Sequence, residues 1–270
     1  MSEATARRPL RWAWPVVLLG AIALLALATL FVFVTNALWV GPYQVAHYLL
    51  KPRTWHNLWI TLWTSLLATL CAVCLGVPVG YVLSRYRLPF RNAVAVLIDL
   101  PILLPPAAVG LFLLGLFRGF PLGPLCDGIG LRVDHATPGV VVAQFTVTAA
   151  FCIRLMKAAF DAVDPRYEVV SRSLGASLPR TFRQVTLPLA TPGLLASVII
   201  VWARAAAEWE SLMLFVGGIQ GYTDTLPMAA YLDFTVGNLG WALTDSLLCV
   251  VIAMGSMYAV QRIGGNGRVW

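Results

Sequence analysis

Residues 164–188 read DPRYEVVSRSLGASLPRTFRQVTLP, the longest polar and charged segment in an otherwise apolar chain. The first half has the marks of a helix. Asp164 is placed to cap the N-terminus, Pro165 suits the first helical position, and Tyr167, Val170, Leu174 and Leu178 recur on one face. Gly175 and Pro179 then bend or end it. Four large apolar side chains burying fully would gain about 6–12 kcal/mol gross, at roughly 1.5–3 kcal/mol each. Something must therefore cover this stripe, either loops of the same chain or a separate partner.

The rest of the chain explains why one polar stretch stands out. With 59% hydrophobic residues, 11% charged residues and a mean hydropathy of +0.80, the 270 residues carry too few charges to clothe a soluble globule. The chain reads as all-α, a polytopic membrane protein. The formal charge of +7 is spread between apolar runs and forms no single basic face, which argues against nucleic acid as a partner. Cys71 and Cys74 have CxxC spacing, but they sit in a continuous apolar run without a second ligand pair, so all five cysteines read as small core residues and not as a metal or redox site.

Six spans follow from hydropathy and punctuation. The first runs from Trp12 to about Leu38, too long for a signal-peptide core. After a linker with Lys51 and Arg53, the second spans Leu58 to about Leu83 and ends in SRYRLPFR, a turn at Pro89 with Arg85, Arg87 and Arg91 around it. The third, Ala93 to Phe117, contains Pro101, Pro105 and Pro106, whose missing backbone donors preclude a regular helix. Irregular backbone at membrane depth survives only inside protein or beside a water-filled cavity, so this span reads as facing the interior, as part of a pathway or as a packing kink. A Gly/Pro-rich loop, Arg118 to Ala136, precedes the fourth span. Thr137 and Pro138 look like its cap and first turn, and it runs to about Leu155. Thr191 and Pro192 repeat that pattern for the fifth, Gly193 to about Phe215, and the sixth is Trp241 to about Val260. With both ends inside, 14 of the 19 cations fall on one side, including Arg7, Arg8, Arg11, Arg154, Lys157, Arg166, Arg172, Arg180, Arg183, Arg262 and Arg268. That bias places residues 164–188 in the cytoplasm.

Several charges sit within apolar runs. Arg204 and Glu208 are four residues apart on one helical face, so they read as a neutralising pair, with Asp245 another possible partner for Arg204. A sharper reading gives Arg204 a place on an anion pathway, because a guanidinium donates to an oxyanion through two N–H groups. Asp99, just before the proline cluster, reads as a structural acceptor for the donors of a broken helix end. The three histidines, His47, His56 and His135, all fall in outer loops, away from any carboxylate cluster at membrane depth, which speaks against an intramembrane hydrolase.

Gly175 is followed ten residues later by Val185, then by Leu187 and Pro188. This spacing resembles the second half of the cytoplasmic signature of permease subunits of ATP-binding-cassette importers. In the first half the family's acidic position falls on Val169 and its two alanines on Val170 and Ser171, with Glu168 one residue earlier. LPILLPPAAVGLFLL from Leu100, LGASLPRTFRQVTLPLATPG from Leu174 and ARAAAEWESLMLFVGGIQGYTDTLPMAAYL from Ala203 are similar to the molybdate, tungstate and sulfate permeases.

The resemblance implies a type I importer permease fold in a bacterial or archaeal inner membrane, with both termini cytoplasmic. It implies a tail, first span and outer linker over 1–54, a permease domain over 55–260 with a coupling loop at about 161–190, and a second tail over 261–270. The implied partners are a second permease copy, two ATP-binding-cassette ATPase subunits, a soluble substrate-binding protein and membrane lipid. The chain has no GxxxxGK[ST] phosphate loop. ATP and magnesium would therefore sit on the partner ATPase, with no cofactor on this chain. Tyr167, Glu168, Val170, Leu174, Gly175, Ala176, Leu178, Val185, Leu187 and Pro188 would couple to the ATPase, and Pro101, Pro105, Pro106, Arg204 and Glu208 would border the pathway. The principal alternative is an ATP-independent secondary transporter or channel, which explains six spans but not the spaced Gly175 and Leu187-Pro188 pattern. No counterpart of the proline cluster stands in the second half, as inverted repeats would require.

Overall fold

A computed structural model describes residues 8–86, 91–119, 122–128, 133 and 135–264. Arg7, Arg87, Pro89, Arg132 and Arg268 lie outside the described residues, and with them the tip of the basic turn after the second span. Thirteen α-helices and one π-turn account for nearly all of the described chain. They are α1 (Arg8–Val40), α2 (Pro42–Leu49), α3 (Pro52–Arg85), α4 (Arg91–Leu103), α5 (Pro106–Arg118), α6 (Leu122–Gly128), α7 (Thr137–Asp161), α8 (Arg166–Ser173), α9 (Leu178–Thr181), a π-turn (Phe182–Thr186), α10 (Leu187–Ala206), α11 (Glu210–Phe215), α12 (Leu226–Thr235) and α13 (Leu239–Gly264). Five stretches are long and apolar enough to cross a membrane, and the bent pair α4 and α5 passes the same test together, which gives six if the pair counts as one span.

The central helix is α7, which packs against α3, α10 and α4. One core cluster joins α3, α7 and α10 through Tyr81, Cys152, Met156, Phe160, Leu194 and Val201. A second joins α5, α7, α11 and α12 through Leu113, Val140, Leu212, Phe215 and Met228. In hydrocarbon, helices associate by close packing more than by a hydrophobic drive, so small residues mark the seams. At Gly80 of α3 an added Cβ would lie 2.8 Å from the backbone N of Lys157, so only glycine lets α3 and α7 approach this closely. By contrast α1 has none of its membrane window buried within the chain. Its apolar surface faces outward.

Three details of the span reading change. The third span is two helices bent by 102°: Pro101 stays inside α4, Pro105 stands at the break, and Pro106 opens α5, where a missing N–H costs nothing. The fifth span begins earlier than Gly193. Thr191 and Pro192 lie inside α10, where the Thr191 hydroxyl donates to the Leu187 carbonyl at 2.7 Å, and Leu187-Pro188 supplies the start. The same span ends at Ala206, so residues up to Phe215 form the separate α11. Thr137 opens α7 as its first residue, with Ala136 in the capping position, and α7 continues through Arg154 and Lys157 to Asp161. These two cations therefore stand on the last turns of α7 and not on a separate segment after it. Finally, Cys71 and Cys74 are exposed on α3; only Cys152 of the five cysteines is fully buried.

Candidate functional site

The polar stretch forms a compact hook at the end of the bundle where α3 and α7 finish. Its helix, α8, starts one residue later than the sequence suggests. The Asp164 carboxylate accepts from the Arg166 N–H at 2.9 Å, and Pro165 occupies the capping position. The helix ends in a Schellman motif: Ala176 N–H donates to Ser171 O at 3.2 Å and Gly175 N–H to Arg172 O at 3.0 Å. This closure requires the left-handed φ of +87° at Gly175. The short α9 and the π-turn then return the chain to α10, and Ser171 and Thr181 hydroxyls lie 3.1 Å apart across the hook.

What fastens the hook to the bundle is Glu168, on the inner face of α8. Its Oε1 accepts from Arg85 Nε at 2.7 Å and from the Thr186 hydroxyl at 2.9 Å, while Oε2 accepts from the Tyr81 hydroxyl at 3.1 Å. The Arg85 Nη2 also donates to Val163 O at 2.9 Å, and its Nη1 to the Ser84 hydroxyl at 3.0 Å. Ser84 in turn donates to Asp161 at 2.6 Å, and Lys157 pairs with Asp161 one turn back. The side chains of Arg85 and Glu168 are 8% and 11% exposed, so this is a buried ion pair in which each partner also makes further hydrogen bonds. Tyr81 packs edge-on against Phe160 and Phe182, with centroids 5.4 and 4.8 Å away. One network thus ties the end of α3, the end of α7, α8 and the π-turn together.

The opposite face of the hook is bare. Tyr167, Val170, Leu174 and Leu178 are all exposed, Leu174 at 84%, so loops of the same chain do not cover the stripe. An open groove of about 700 Å³ runs along it, bordered by Tyr167, Val170, Leu174, Ala176, Arg180 and Val185. The ten residues expected to act together therefore divide into two sets. Tyr167, Val170, Leu174, Gly175, Ala176, Leu178 and Val185 form the outer surface. Glu168 points inward, Leu187 packs against the core of α3, α7 and α10, and Pro188 is the second residue of α10. Tyr81, Arg85 and Thr186 escaped the sequence reading as site residues. Tyr81 and Arg85 are four apart and share a helix face, the one signal that could have flagged them.

At membrane depth, Arg204 Nη1 donates to Glu208 Oε2 at 2.7 Å. The other oxygen of Glu208 accepts from the Ser211 N–H and hydroxyl, each at 3.1 Å, so the buried carboxylate also holds the start of α11 at the break after α10. Asp245 is not a partner of Arg204. It lies buried in α13, and both its oxygens are without a hydrogen-bond partner among the described residues. Asp99 does not hold a helix end: it pairs with Arg154 across α4 and α7. At the far end of the bundle, Arg53 pairs with Asp233 at 2.9 Å and stacks over Trp241, while Asp224 accepts from Gly221 N–H at 2.9 Å. Burial raises the Asp224 pKa above the ordinary carboxylate value, against the lowering effect of that N–H. His56 and His135 each lie on a backbone carbonyl, Gly221 O at 2.8 Å and Val216 O at 2.7 Å. Among the described residues no group of three or more His, Cys, Asp or Glu could hold a metal ion.

Solved structures share this architecture. A bacterial ABC transporter that imports the acidic polysaccharide alginate superposes with a TM-score of 0.72 at 16% identity, covering 95% of this chain and 96% of its own. The MetNI methionine ABC transporter gives 0.62 at 21% identity, covering 76% and 92%. The fold is that of a type I importer permease. Residues 72–263 match the binding-protein-dependent transport system inner membrane component, and the chain belongs to that family. It is a multi-pass inner-membrane permease subunit of an ABC importer. Among its relatives, a probable molybdenum ABC transporter permease of Haloferax volcanii is 36% identical over 194 residues, 72% of this chain and 70% of that protein. A molybdenum transport system permease of Escherichia coli is 31% identical over 185 residues, 67% and 81% respectively. The family assignment displaces the ATP-independent carrier.

Proposed function

We propose that this chain forms the translocation pathway of a molybdate importer, as a homodimer served by two ATPase subunits and a soluble binding protein. ATP and magnesium belong to the ATPase, and both termini and the hook lie in the cytoplasm. The observation that carries the coupling role is the uncovered apolar stripe on an element whose other face is fixed by Glu168 and Arg85. A surface that bare needs a partner, and an element that well anchored transmits what the partner does. Tyr167, Val170, Leu174, Gly175, Ala176, Leu178 and Val185 meet the ATPase, with Glu168, Leu187 and Pro188 behind them. Docking biases the spans only if the ATPase groove binds one conformation of the bundle better than the other. Pro101, Pro105, Pro106, Arg204 and Glu208 shape the pathway, and α1 faces lipid or the second copy. Molybdate is favoured over tungstate and sulfate by the names of the relatives.

The test is co-expression with the cognate ATPase and binding protein, followed by uptake assays in proteoliposomes. Molybdate uptake that requires ATP and the binding protein, with tungstate competing and sulfate competing more weakly, is the expected result. Leu174→Asp should abolish co-purification of the ATPase while leaving the permease folded. An ATPase that still co-purifies with Leu174→Asp and Tyr167→Ala would refute docking through this stripe.

A further inference from the structure

A second charged feature lies in a cleft on the flank of the bundle, between α3, α4 and α7. A cavity of about 200 Å³ is walled by Leu83, Ile98 and Ile153 and by the polar groups of Asp99, Arg154 and Lys157. Asp99 stands eight residues into α4 and Arg154 seven residues before the end of α7, so the pair sits about 10–12 Å inside the helix ends. Arg154 is nonetheless 55% exposed on the surface of the single chain. Hydrocarbon is a costly surrounding for a guanidinium carried on an apolar span, so this face borders protein or water. The bend of 102° begins five residues after Asp99 on the same helix, and exposed Pro105 stands at it. Irregular backbone at depth has the same two permitted surroundings.

Donor chemistry separates them. Arg154 spends Nε and Nη2 on Asp99, and Lys157 spends one donor on Asp161. The Arg154 Nη1 and the remaining Lys157 N–H groups have no partner among the described residues. A dry seam would leave these donors unsatisfied, whereas water or a passing anion satisfies them.

We propose that Arg154 and Lys157 form a transient binding site for a tetrahedral oxyanion on the inner half of the pathway, with Asp99 and Asp161 holding them in place. This site rests on the permease reading above. Two cations are balanced by two carboxylates, so the anion meets oriented donors without a deep positive well. Binding is then weak enough for release, as a conduction site requires. Arg154 can turn its Nη1 N–H groups to the anion while Nε and Nη2 stay on Asp99, a division that the single ammonium of lysine cannot imitate.

The experiment uses the full reconstituted complex with molybdate as the probe, and uptake is normalised to assembled complex. Arg154→Gln should lower uptake about tenfold or more, Arg154→Lys by an intermediate factor, and Lys157→Gln severalfold. A cysteine at position 154, in a background lacking the five native cysteines, should react with a membrane-impermeant charged thiol reagent from the hook side, and millimolar molybdate should slow that reaction. Should Arg154→Gln fail to assemble, Lys157→Gln and the cysteine reactivity decide. Unchanged uptake in the assembled glutamine variants, or a cysteine unreactive in every nucleotide state, overturns the site. An unsubstituted complex that moves no oxyanion would instead overturn the permease reading on which it rests.

Discussion

Removing either charge of the Arg85–Glu168 pair should free the hook without unfolding the bundle. Both side chains are about nine-tenths buried, and the carboxylate has three side-chain donors. Breaking one partner of such a pair costs about 3–5 kcal/mol, because the survivor is left charged and under-solvated. At roughly 1.4 kcal/mol per factor of ten, opening of the hook becomes about two to three and a half orders of magnitude more frequent. The cost falls first on α8, α9 and the π-turn, since the apolar seams of α3, α7 and α10 are untouched, and such sub-global opening is the expected response. Limited proteolysis of the purified permease reads this directly: cleavage between residues 161 and 190 should accelerate in Arg85→Met and in Glu168→Gln. Glu168→Gln is the milder change, because an amide oxygen in place of Oε1 still accepts from Thr186 and Arg85 Nε, the amide N–H in place of Oε2 can donate to the Tyr81 hydroxyl, and Arg85 keeps Val163 O. The double variant removes both charges, so it should be less labile than the summed losses of the single variants imply. If the single variants resist protease as the parent does, or if the double variant is as labile as the sum of the singles, the ion pair is not what anchors the hook.

Other perturbations are simpler. Gly175→Ala should destabilise the hook by about 1–2 kcal/mol, the cost of a left-handed residue with a Cβ, because nothing lies within 4 Å of that Cβ; Gly175→Asn should cost less, and the same proteolysis assay ranks the three. Gly80→Ala places its Cβ 2.8 Å from the Lys157 backbone, so α3 and α7 must separate, and the detergent-solubilised permease should lose several degrees of thermal stability. Asp224→Asn should change the pH profile of stability. The folded carboxyl holds its proton more tightly than the unfolded one, so ionisation costs stability as pH rises from about 4 through the raised folded value. The asparagine variant should lack that decline in melting curves taken across the acidic range.

How much of this was legible beforehand depends on the kind of interaction. Apolar length and basic turns disclosed six spans, because both follow from local composition. The proline cluster disclosed a break but not its angle or position: Pro101 is absorbed within α4, and only Pro105-Pro106 interrupts the backbone. Pairings between distant segments were the hard part. Arg204 and Glu208 are neighbours on one helix and could be read off the sequence. Asp99 with Arg154, 55 residues apart, and Arg85 with Glu168, 83 apart, depend on which helices become adjacent. Along the α3–α7 seam that adjacency is set by small residues such as Gly80, a signal too dispersed to read as a motif.

The same distinction explains why Glu168 looked out of register. A residue judged by its place in a docking surface should belong to the exposed face with Tyr167, Val170 and Leu174, and Glu168 lies away from them round the helix. Its position is correct for the other task, because only from the inner face can one carboxylate reach α3 and the π-turn together. A docking helix held by its surface contacts alone would follow the partner and leave the membrane helices behind. Held instead through Arg85 and Tyr81 at the end of α3, and through Ser84 and Asp161 to the end of α7, it can displace these spans only as a unit. In the proposed coupling the buried charge is therefore the more exacting requirement, and the apolar stripe is the part that a variety of side chains could supply.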